Sequence, residues 1–437
     1  MAQVAANDVH AKALAINLSN AHYGSFAEIG AGQEVARWFL RVGAASGTVA
    51  QTISAYDKTF SDDTYGSGTR YVSKQRLLAM LDHEYRLLVQ RLGATRGADT
   101  RFFVFADTVA ARNYKGDNEQ HGWLGVRFQA EPGAQPSDVL VHVNLMDPSA
   151  QLQQEAIGVL GVNLVYAAFH QRGSCDTFLV GIFEGLSIDR IEIDVIDQSG
   201  PAFAGADSRE WCIRALRRGM AHAVGFDQSE QVVEPSNILR KRALIVERGR
   251  FDRVEPYQQR MLKAAQQQLL AEGLDLARDP ASILEMTTRH ISGAEQADDL
   301  ELLERVQHIA PLGGVVISDF PQTYLLAQYL RRYTQEPIRF VVGVTALAML
   351  FHADYYADLP GTMLEAMGRF LSTNTKVYAY PMPAELFRQL VGKTMPHLTA
   401  AAPATGLVTA DDLHPPAPML HLYRYVREAG WVVPLSV

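Results

Sequence analysis

The segment from Ala243 to Gln258 carries the residues of this chain best suited to holding an anion. It reads ALIVERGRFDRVEPYQ, a short apolar run, a glycine turn and the start of a helix. Backbone N–H groups at the start of a helix bind phosphate, and arginines on both sides of the glycine add positive charge. The carboxylate of Glu255 opposes an anion unless a cation intervenes. The segment predicts a site for a phosphorylated or nucleotide-like small molecule, with these candidate ligand-binding residues: Glu247, Arg248, Gly249, Arg250 and Asp252.

Three further candidates follow other predicted strands. In parallel α/β folds, ligands bind beyond the carboxyl ends of the strands. Gly200 and Asp207 follow the apolar run 191–196, and Asp319 follows the run 314–317. Carboxylates and arginines at such positions suit a metal–phosphate or a charged metabolite. The structural alternative is that aspartates such as Asp207 simply begin helices, a position that favours them.

A second glycine loop lies near the N-terminus, in the segment FAEIGAGQEVA at residues 26–36. It resembles the Glu-x-Gly-x-Gly-x-Gly loop of methyltransferases that use S-adenosylmethionine, with Glu34 in place of the third glycine. The sequence shows no clear strand before the loop, and a Gly-x-Gly pair by itself is a weak signal. A plain helix start is the favoured interpretation, and Gly30 and Gly32 are kept as candidate ligand-binding residues.

Other catalytic patterns are missing from the sequence. None of the thirteen histidines forms a His-x-x-x-His pair or comparable ligand spacing, so His121 and His142 are interpreted as core or surface residues. There is no Gly-x-Ser-x-Gly elbow, and no histidine can be matched to Cys175. The sequence therefore assigns no catalytic residue, no metal ligand and no cofactor.

The order of predicted elements indicates an α/β fold in three parts. Residues 1–170 read as an α+β domain, with helices over most of 32–92, β-type runs near 101–105, 123–129 and 139–145, and a helix over 150–169. Residues 171–399 alternate apolar runs with helices, which predicts a mostly parallel, doubly wound sheet, with a β/α barrel as the alternative. Seven runs carry this prediction: 191–196, 223–226, 243–246, 283–286, 314–317, 338–342 and 376–380. Residues 400–437 read as an Ala/Pro-rich linker and C-terminal arm.

Composition narrows the class of protein further. The chain has 437 residues, 48% hydrophobic and 20% charged, and a net charge of −8. This favours a folded globular protein and disfavours a nucleic-acid surface. Two cysteines, no basic-then-apolar leader and no apolar run long enough to span a bilayer predict a cytoplasmic protein without membrane partners.

The Gly249 segment also resembles the first motif of the nucleotidyltransferase family that includes nicotinate-nucleotide adenylyltransferases, Gly-Ser-Phe-Asp-Pro-Val-His-x-Gly-His. Gly249, Phe251, Asp252 and Val254 match this motif, whereas the two histidines of the family fall on Glu255 and Gln258. In that family the histidines stabilise charge on the transferred phosphoryl group, which a carboxylate and an amide cannot do in the same way. The resemblance implies a phosphate site whose standard catalytic chemistry is missing.

More broadly, the chain is similar, over about residues 14–380, to an uncharacterised bacterial family described as nicotinate-nucleotide adenylyltransferase-like. The similarity lies in FAEIGAGQEVARWF at residues 26–39 and, imperfectly, in residues 247–254. It implies a shared fold. The leading hypothesis is a cytoplasmic protein that binds a phosphorylated or nucleotide-like small molecule without adenylyltransferase catalysis. Two alternatives stay open: a non-enzymatic homo-oligomeric or filament-forming assembly protein, and a metal-dependent transferase that uses Asp194, Asp197 or Asp252.

Overall fold

Two units divide the chain between His222 and Ala223. The computed structural model describes residues 8–68, 70–252, 256–289, 297–372, 374–391 and 403–436. Both units are mixtures of helices and open β-sheets, so the α/β prediction is confirmed, and neither sheet is a closed barrel within the described residues. Within the described ranges, no helix combines the length and the apolar character needed to cross a bilayer.

Unit 1 is built around a six-stranded sheet. Its strands are β1 (His22–Gly30), β2 (Val49–Ile53), β3 (Arg101–Ala110), β4 (His121–Gln129), β5 (Pro136–Leu145) and β6 (Ile191–Ser199). Its helices are α1 (Val9–Asn17), α2 (Glu34–Arg41), α3 (Lys58–Tyr65), α4 (Lys74–Arg96), α5 (Ala150–His170), α6 (Cys175–Ile182) and α7 (Ser208–Arg217), with short 3₁₀ turns at Ala45–Gly47 and Pro201–Phe203.

The sheet of unit 1 changes from parallel to antiparallel along its width. The strand order is β2-β1-β3-β4-β5-β6. β1 runs parallel to both β2 and β3, and the remaining neighbours are antiparallel. The carboxyl ends of β1, β2 and β3 therefore lie at one edge, together with the first residues of β4 and β6.

Unit 2 contains an eight-stranded sheet and a small two-stranded one. Its strands are β7 (Ala223–Phe226), β8 (Val232–Val233), β9 (Leu244–Arg248), β10 (Ala281–Thr287), β11 (Gly314–Ser318), β12 (Ile338–Gly343), β13 (Thr375–Tyr380), β14 (Met382–Pro383), β15 (Leu407–Val408) and β16 (Val432–Pro434). Its helices are α8 (Pro235–Leu239), α9 (Pro256–Ala271), α10 (Asp299–Ile309), α11 (Thr323–Arg331), α12 (Val344–Leu350), α13 (Thr362–Phe370), α14 (Ala384–Val391) and α15 (Met419–Glu428), with 3₁₀ turns at Ala310–Leu312, Ala353–Tyr356 and Ala410–Asp412.

The larger sheet of unit 2 is doubly wound. Its order is β16-β13-β12-β9-β10-β11-β7-β8, and all neighbours from β16 to β11 are parallel. The chain builds β9, β10 and β11 in one direction and then returns to place β12, β13 and β16 on the other side of β9. The topological switch point, where ligands of such folds bind, is thus the gap between the carboxyl ends of β9 and β12.

Three sequence predictions require correction. The run at 191–196 is not the first strand of the parallel sheet, because β6 pairs antiparallel with β5 in unit 1. The run at 223–226 is β7, which is antiparallel to β11. The units accordingly divide after residue 222 and not after residue 170. Apolar runs predict strands but carry no information about which neighbour each strand takes.

The two ends of the chain also differ from the prediction. The region 32–92 is mostly helical as predicted, although β2 lies within it. β1 precedes the glycine loop as a full strand, where the sequence showed no clear one. The polar segment 57–68 contains α3, because the Asp57 side chain accepts the backbone N–H of Phe60 and begins a helix. Residues 403–436 are not simply an extended arm, since they contain α15 and the sheet strand β16.

Candidate functional site

The glycine loop after β1 is held so closely that only glycine fits at two positions. Gly30 has a φ of +82°, and a Cβ there would lie 2.0 Å from the carbonyl oxygen of Val109. A Cβ on Gly32 would lie 1.9 Å from Oδ1 of Asp107. The loop therefore lies directly on β3, and its backbone follows the carboxyl end of β1 into α2.

Two buried carboxyl groups lie beneath this loop. Glu28 of β1 and Asp107 of β3 are register partners, 3% and 0% exposed. Oε1 of Glu28 accepts the backbone N–H groups of Val35 (3.1 Å) and Ala36 (3.2 Å) and so caps α2. Neither carboxyl oxygen of Asp107 has a hydrogen-bond partner in the described part of the chain.

Burial raises the pKa of both carboxyl groups of this pair. Burial raises the pKa of Glu28 to about 8, although the two N–H groups that it accepts lower it in part. Burial, and then the charge of Glu28, raises the pKa of Asp107 well above its usual value. Both effects penalise the ionised form. At neutral pH Glu28 is therefore mostly protonated.

A pocket of about 410 Å³ opens beside the loop, at the carboxyl ends of β1 and β2. Its polar lining comes from Glu28, Gln33, Arg37, Arg41, Thr52 and Ser54. Nε2 of Gln33 donates to the carbonyl oxygen of Gly30 (2.7 Å) and to Oγ of Ser54 (3.0 Å), which ties the loop to the residue after β2. Arg37 and Arg41 lie one turn apart on α2 and both line this pocket. The guanidinium of Arg41 also lies over the ring of Trp38, 5.7 Å from its centroid.

The predicted Gly249 corner of unit 2 is engaged in internal contacts. The backbone N–H of Gly249 donates to the carbonyl oxygen of Glu285 (3.0 Å), and Nε of Arg248 lies 3.1 Å from Oε2 of the same glutamate. Arg248 also donates to the carbonyl oxygen of Phe320. The buried ring of Phe251 covers Gly249, where a Cβ would lie 3.1 Å from Cζ of that ring. A role for Arg248 as an anion contact would require it to leave this ion pair.

The remaining residues of that segment are distributed around the corner. Asp252 pairs with Arg305 (2.7 Å), and Arg250, which is about half exposed, lies 3.6 Å from Asp252. Residues 253–255, including Glu255 of the motif comparison, lie outside the described residues.

Glu247 occupies the switch point itself. It is 4% exposed, and its Oε2 has no hydrogen-bond partner among the residues that the structure describes. Burial raises its pKa to about 8. The hydroxyl of Tyr257, in the first turn of α9, is likewise without a partner in the described ranges and lies 2.9 Å from where a Cβ on Gly343 would be.

The other predicted residues do not converge on one site. Gly200, with a φ of +90°, follows the carboxyl end of β6, at the edge of the unit 1 sheet opposite to Gly30. Asp207 caps α7 and pairs with Arg209 (2.8 Å), whose hydrogen bond lowers the pKa of this carboxyl. In unit 2, Asp319 follows β11 and lies 3.8 Å from Arg289. Only the Gly249 segment and Asp319 share one sheet edge, while Gly30 and Gly32 form the separate loop of unit 1.

Sequence reasoning named His121, His142 and Asp194 separately but did not predict that they form one polar cluster in unit 1. His121, His142, Asn144 and Asp194 meet on β4, β5 and β6, where Nδ1 of His121 lies 3.0 Å from Nε2 of His142. His142 and Asn144 are two residues apart in the predicted β-type run 139–145, a spacing that places both on one face of a strand. The register that brings His121 next to them had no signal in the sequence.

Comparison with known proteins adds little to this description. No protein-family model matches the chain, and no curated protein matches it at a significant level. Among solved structures, it is similar to the competence/damage-inducible protein CihA from Agrobacterium tumefaciens, with 17% identity, a TM-score of 0.22, and coverage of 31% of this chain and 78% of that one. A CinA superfamily protein from Escherichia coli gives 12% identity and a TM-score of 0.26, covering 38% and 91%. A competence or damage-inducible protein from Enterobacter asburiae gives 11% and 0.27, covering 37% and 98%. At such TM-scores the likeness carries no argument about fold or function.

Proposed function

We propose that this protein binds a phosphorylated or nucleotide-like small molecule in the glycine-loop pocket of unit 1, without adenylyltransferase catalysis. The observation that carries the proposal is the pairing of Arg37 and Arg41 over a cavity at the carboxyl ends of parallel strands. Ligands of α/β proteins bind at such ends, and guanidinium groups match phosphate geometry.

The charge state of the pocket supports an anionic ligand. Arg37 is about two-thirds exposed and pairs with Glu34 (2.8 Å), so this ion pair is weak in water and a phosphate can displace it. Glu28 would repel a phosphate if it were ionised. Its raised pKa keeps it mostly protonated at neutral pH, and this leaves the arginines as the dominant charge.

The space around the arginines fits a ligand larger than phosphate. A second cavity of about 560 Å³ also contains Arg37 and Arg41, and its lining includes Trp38 and Arg190. An anion held between the two arginines would leave room on one side for hydroxyl contacts with Thr52 and Ser54. On the other side, a planar group can contact the ring of Trp38.

Catalysis of the adenylyltransferase type is not part of the proposal. The motif that suggested it lies in unit 2, where Glu255 and Gln258 replace the histidines of the family. Glycine 249 and Arg248 already have partners within that unit. Ligand binding is therefore assigned to the unit 1 pocket, where the polar groups face a cavity.

Thermal unfolding of the full chain with a panel of ligands tests the proposal. The panel contains inorganic phosphate, nucleoside mono-, di- and triphosphates and dinucleotides, each with and without magnesium. We expect at least one nucleotide to raise the melting temperature of the parent by several degrees, since a ligand that binds only the folded state stabilises it. The double variant R37A/R41A should lose at least nine-tenths of this shift.

The matched control is Arg86→Ala, which removes an exposed arginine of α4 from an ion pair of the same kind with Asp82. It should keep the full shift. The proposal is wrong if no member of the panel raises the parent's melting temperature by more than about 1 °C, or if R37A/R41A responds as the parent does.

A further inference from the structure

Two histidine rings meet across neighbouring strands of unit 1. In the pairing of β4 with β5, Trp123 is opposite His142 and Asn144 is opposite His121, so the histidines are diagonal neighbours on one face. Nδ1 of His121 lies 3.0 Å from Nε2 of His142. His142 is 2% exposed, whereas His121 is only partly buried. His142 is therefore buried, and His121 is partly exposed to solvent.

A β-bulge directs a carboxylate onto the buried histidine. The register between β5 and β6 shifts at this point: His142 is opposite Val195 and Val143 is opposite Ile193, which leaves Asp194 as the extra residue. Its fully buried carboxylate lies 2.5 Å from Nδ1 of His142 and accepts Nδ2–H of Asn144 at 2.8 Å. Bulges re-aim side chains in this way beside functional sites.

The carboxylate of Asp194 determines which ring nitrogen of His142 carries the proton and which carries the lone pair. An aspartate beside Nδ1 holds the proton on that atom, so the lone pair of Nε2 points towards His121. The same order of groups, carboxylate to histidine to metal, orients the ligands of zinc sites and raises their basicity.

We propose that His121 and His142 chelate a divalent transition-metal ion, with Asp194 as the positioning residue. Imidazole nitrogens bind Zn²⁺ at about 2.0–2.1 Å, so two ligands of a tetrahedral ion lie about 3.3 Å apart, close to the separation of this pair. Neutral imidazoles suit Zn²⁺, Ni²⁺ and Cu²⁺ better than Mg²⁺ or Ca²⁺. Two protein nitrogens leave the other positions of the ion to water or further oxygen ligands.

Titration of the full-length protein with ZnCl₂ after treatment with EDTA tests this inference. We expect one equivalent per chain with a dissociation constant below about 100 µM. Co²⁺ should bind with the same stoichiometry and give visible absorption bands that depend on the imidazole ligands. His121→Gln and His142→Gln should each weaken Zn²⁺ binding at least tenfold. His10→Gln, which changes an exposed histidine on α1, should leave it unchanged.

Asp194→Asn separates positioning from ligation. The variant keeps both histidines, so we expect stoichiometric binding that is about 10- to 100-fold weaker, with shifted Co²⁺ bands. Far-ultraviolet circular dichroism and the nucleotide-induced melting shift check that unit 1 remains folded. If His142→Gln does not fold, His121→Gln on the more exposed ring decides the question. The inference is overturned if the parent binds less than one equivalent, or if the parent and His121→Gln bind Zn²⁺ equally well.

Discussion

The most unusual residues of unit 1 are two carboxyl groups that the fold places where ionisation is unfavourable. Glu28 and Asp107 are adjacent across β1 and β3, and both are nearly or fully buried. Glu28 uses one oxygen to cap α2, and Asp107 lies against Gly32. The protonation of Glu28 and Asp107 is therefore linked to the conformation of the glycine loop, because both side chains lie directly against it.

The stability of the fold should depend on pH through Glu28. Its folded-state pKa of about 8 lies above the value of an exposed glutamate, so the folded state holds a proton that the unfolded chain releases. Stability is therefore fully present below the ordinary pKa and falls as pH rises towards about 8, by up to about 1.4 kcal/mol per pH unit. Glu28→Gln keeps the acceptor oxygen and cannot ionise, so its unfolding free energy in urea should fall less than that of the parent between pH 5.5 and 8.5.

The comparison with the parent isolates this effect from Glu247, whose raised pKa acts in the same direction. Glu155→Gln, at an exposed position of α5, should follow the parent across the whole range. Identical pH dependence in the parent and Glu28→Gln would show that Glu28 ionises normally in the folded protein.

Residue-level prediction from the sequence depends on local signals. Gly30 and Gly32 could be selected because a Gly-x-Gly turn before a helix is visible in consecutive residues. Asp107 owes its position to strand pairing, and no local pattern in the sequence marks it. Asp194 was named from the sequence only as an alternative transferase residue, and its contact with His142 depends on a bulge. The direction of the Arg248 side chain, towards Glu285, is also set by packing between strands that are distant in the chain.

At the scale of elements, one buried ion pair ties α9 to the sheet of unit 2. Glu272, the residue after α9, accepts Nη2 of Arg339 (2.6 Å), Nζ of Lys376 (3.2 Å) and the hydroxyl of Tyr378 (2.7 Å). Arg339 lies on β12 and is 1% exposed. A cation so buried is tolerated only while its partners remain.

Removal of the Glu272 carboxylate should lower the unfolding free energy and increase local unfolding of α9 and β12. We expect Glu272→Ala to cost about 3–5 kcal/mol, because it leaves the guanidinium of Arg339 buried without its counter-charge. The double variant E272A/R339M should recover at least half of that loss, since the uncompensated charge is gone. Urea denaturation measures the loss, and hydrogen exchange in α9 and β12 locates it.

Asp411→Ala is the matched control within unit 2, because Asp411 is mostly exposed and forms an ordinary ion pair with Arg427. It should cost less than about 1 kcal/mol. A double variant no more stable than Glu272→Ala would mean that the cost comes from lost packing and hydrogen bonds, and not from the buried charge.

Elements with strong periodicity or caps were predictable from the sequence, and short polar ones were not. α4 begins directly after Ser73, whose side chain accepts the N–H of Arg76, and α9 begins at Pro256. Serine before a helix and proline in its first turn are local signals of a helix start. β1 was missed because its sequence, HYGSFAEIG, contains two glycines and a serine, which lower strand propensity. Its stability comes from pairing with β2 and β3 on both sides, which is tertiary context.

At the scale of the whole molecule, the sequence predicted the two fold classes but placed the division between them too early. The strand–helix alternation of unit 2 was visible, and the sheet is open and doubly wound as expected. The error lay in β6, whose apolar run resembles the strands of unit 2. In the structure β6 covers the edge of β5, and α7 packs on β6, where Sγ of Cys212 is hydrogen-bonded to the backbone of Ile196.

This division predicts how truncated chains behave. A chain of residues 1–222 retains the whole six-stranded sheet, and we expect it to be soluble and to unfold cooperatively. A chain of residues 1–170 lacks β6, so it exposes the edge of β5. It also loses Phe203, whose ring packs edge-on against Phe128 of β4. Exposed edges of long apolar strands pair with other chains, so this shorter chain should aggregate. Size-exclusion chromatography and thermal unfolding of the two chains distinguish the cases. If the chain of residues 1–170 is monomeric and unfolds cooperatively, the folding boundary lies before β6. In that case, β6 and α7 are not needed for the stability of the rest of unit 1.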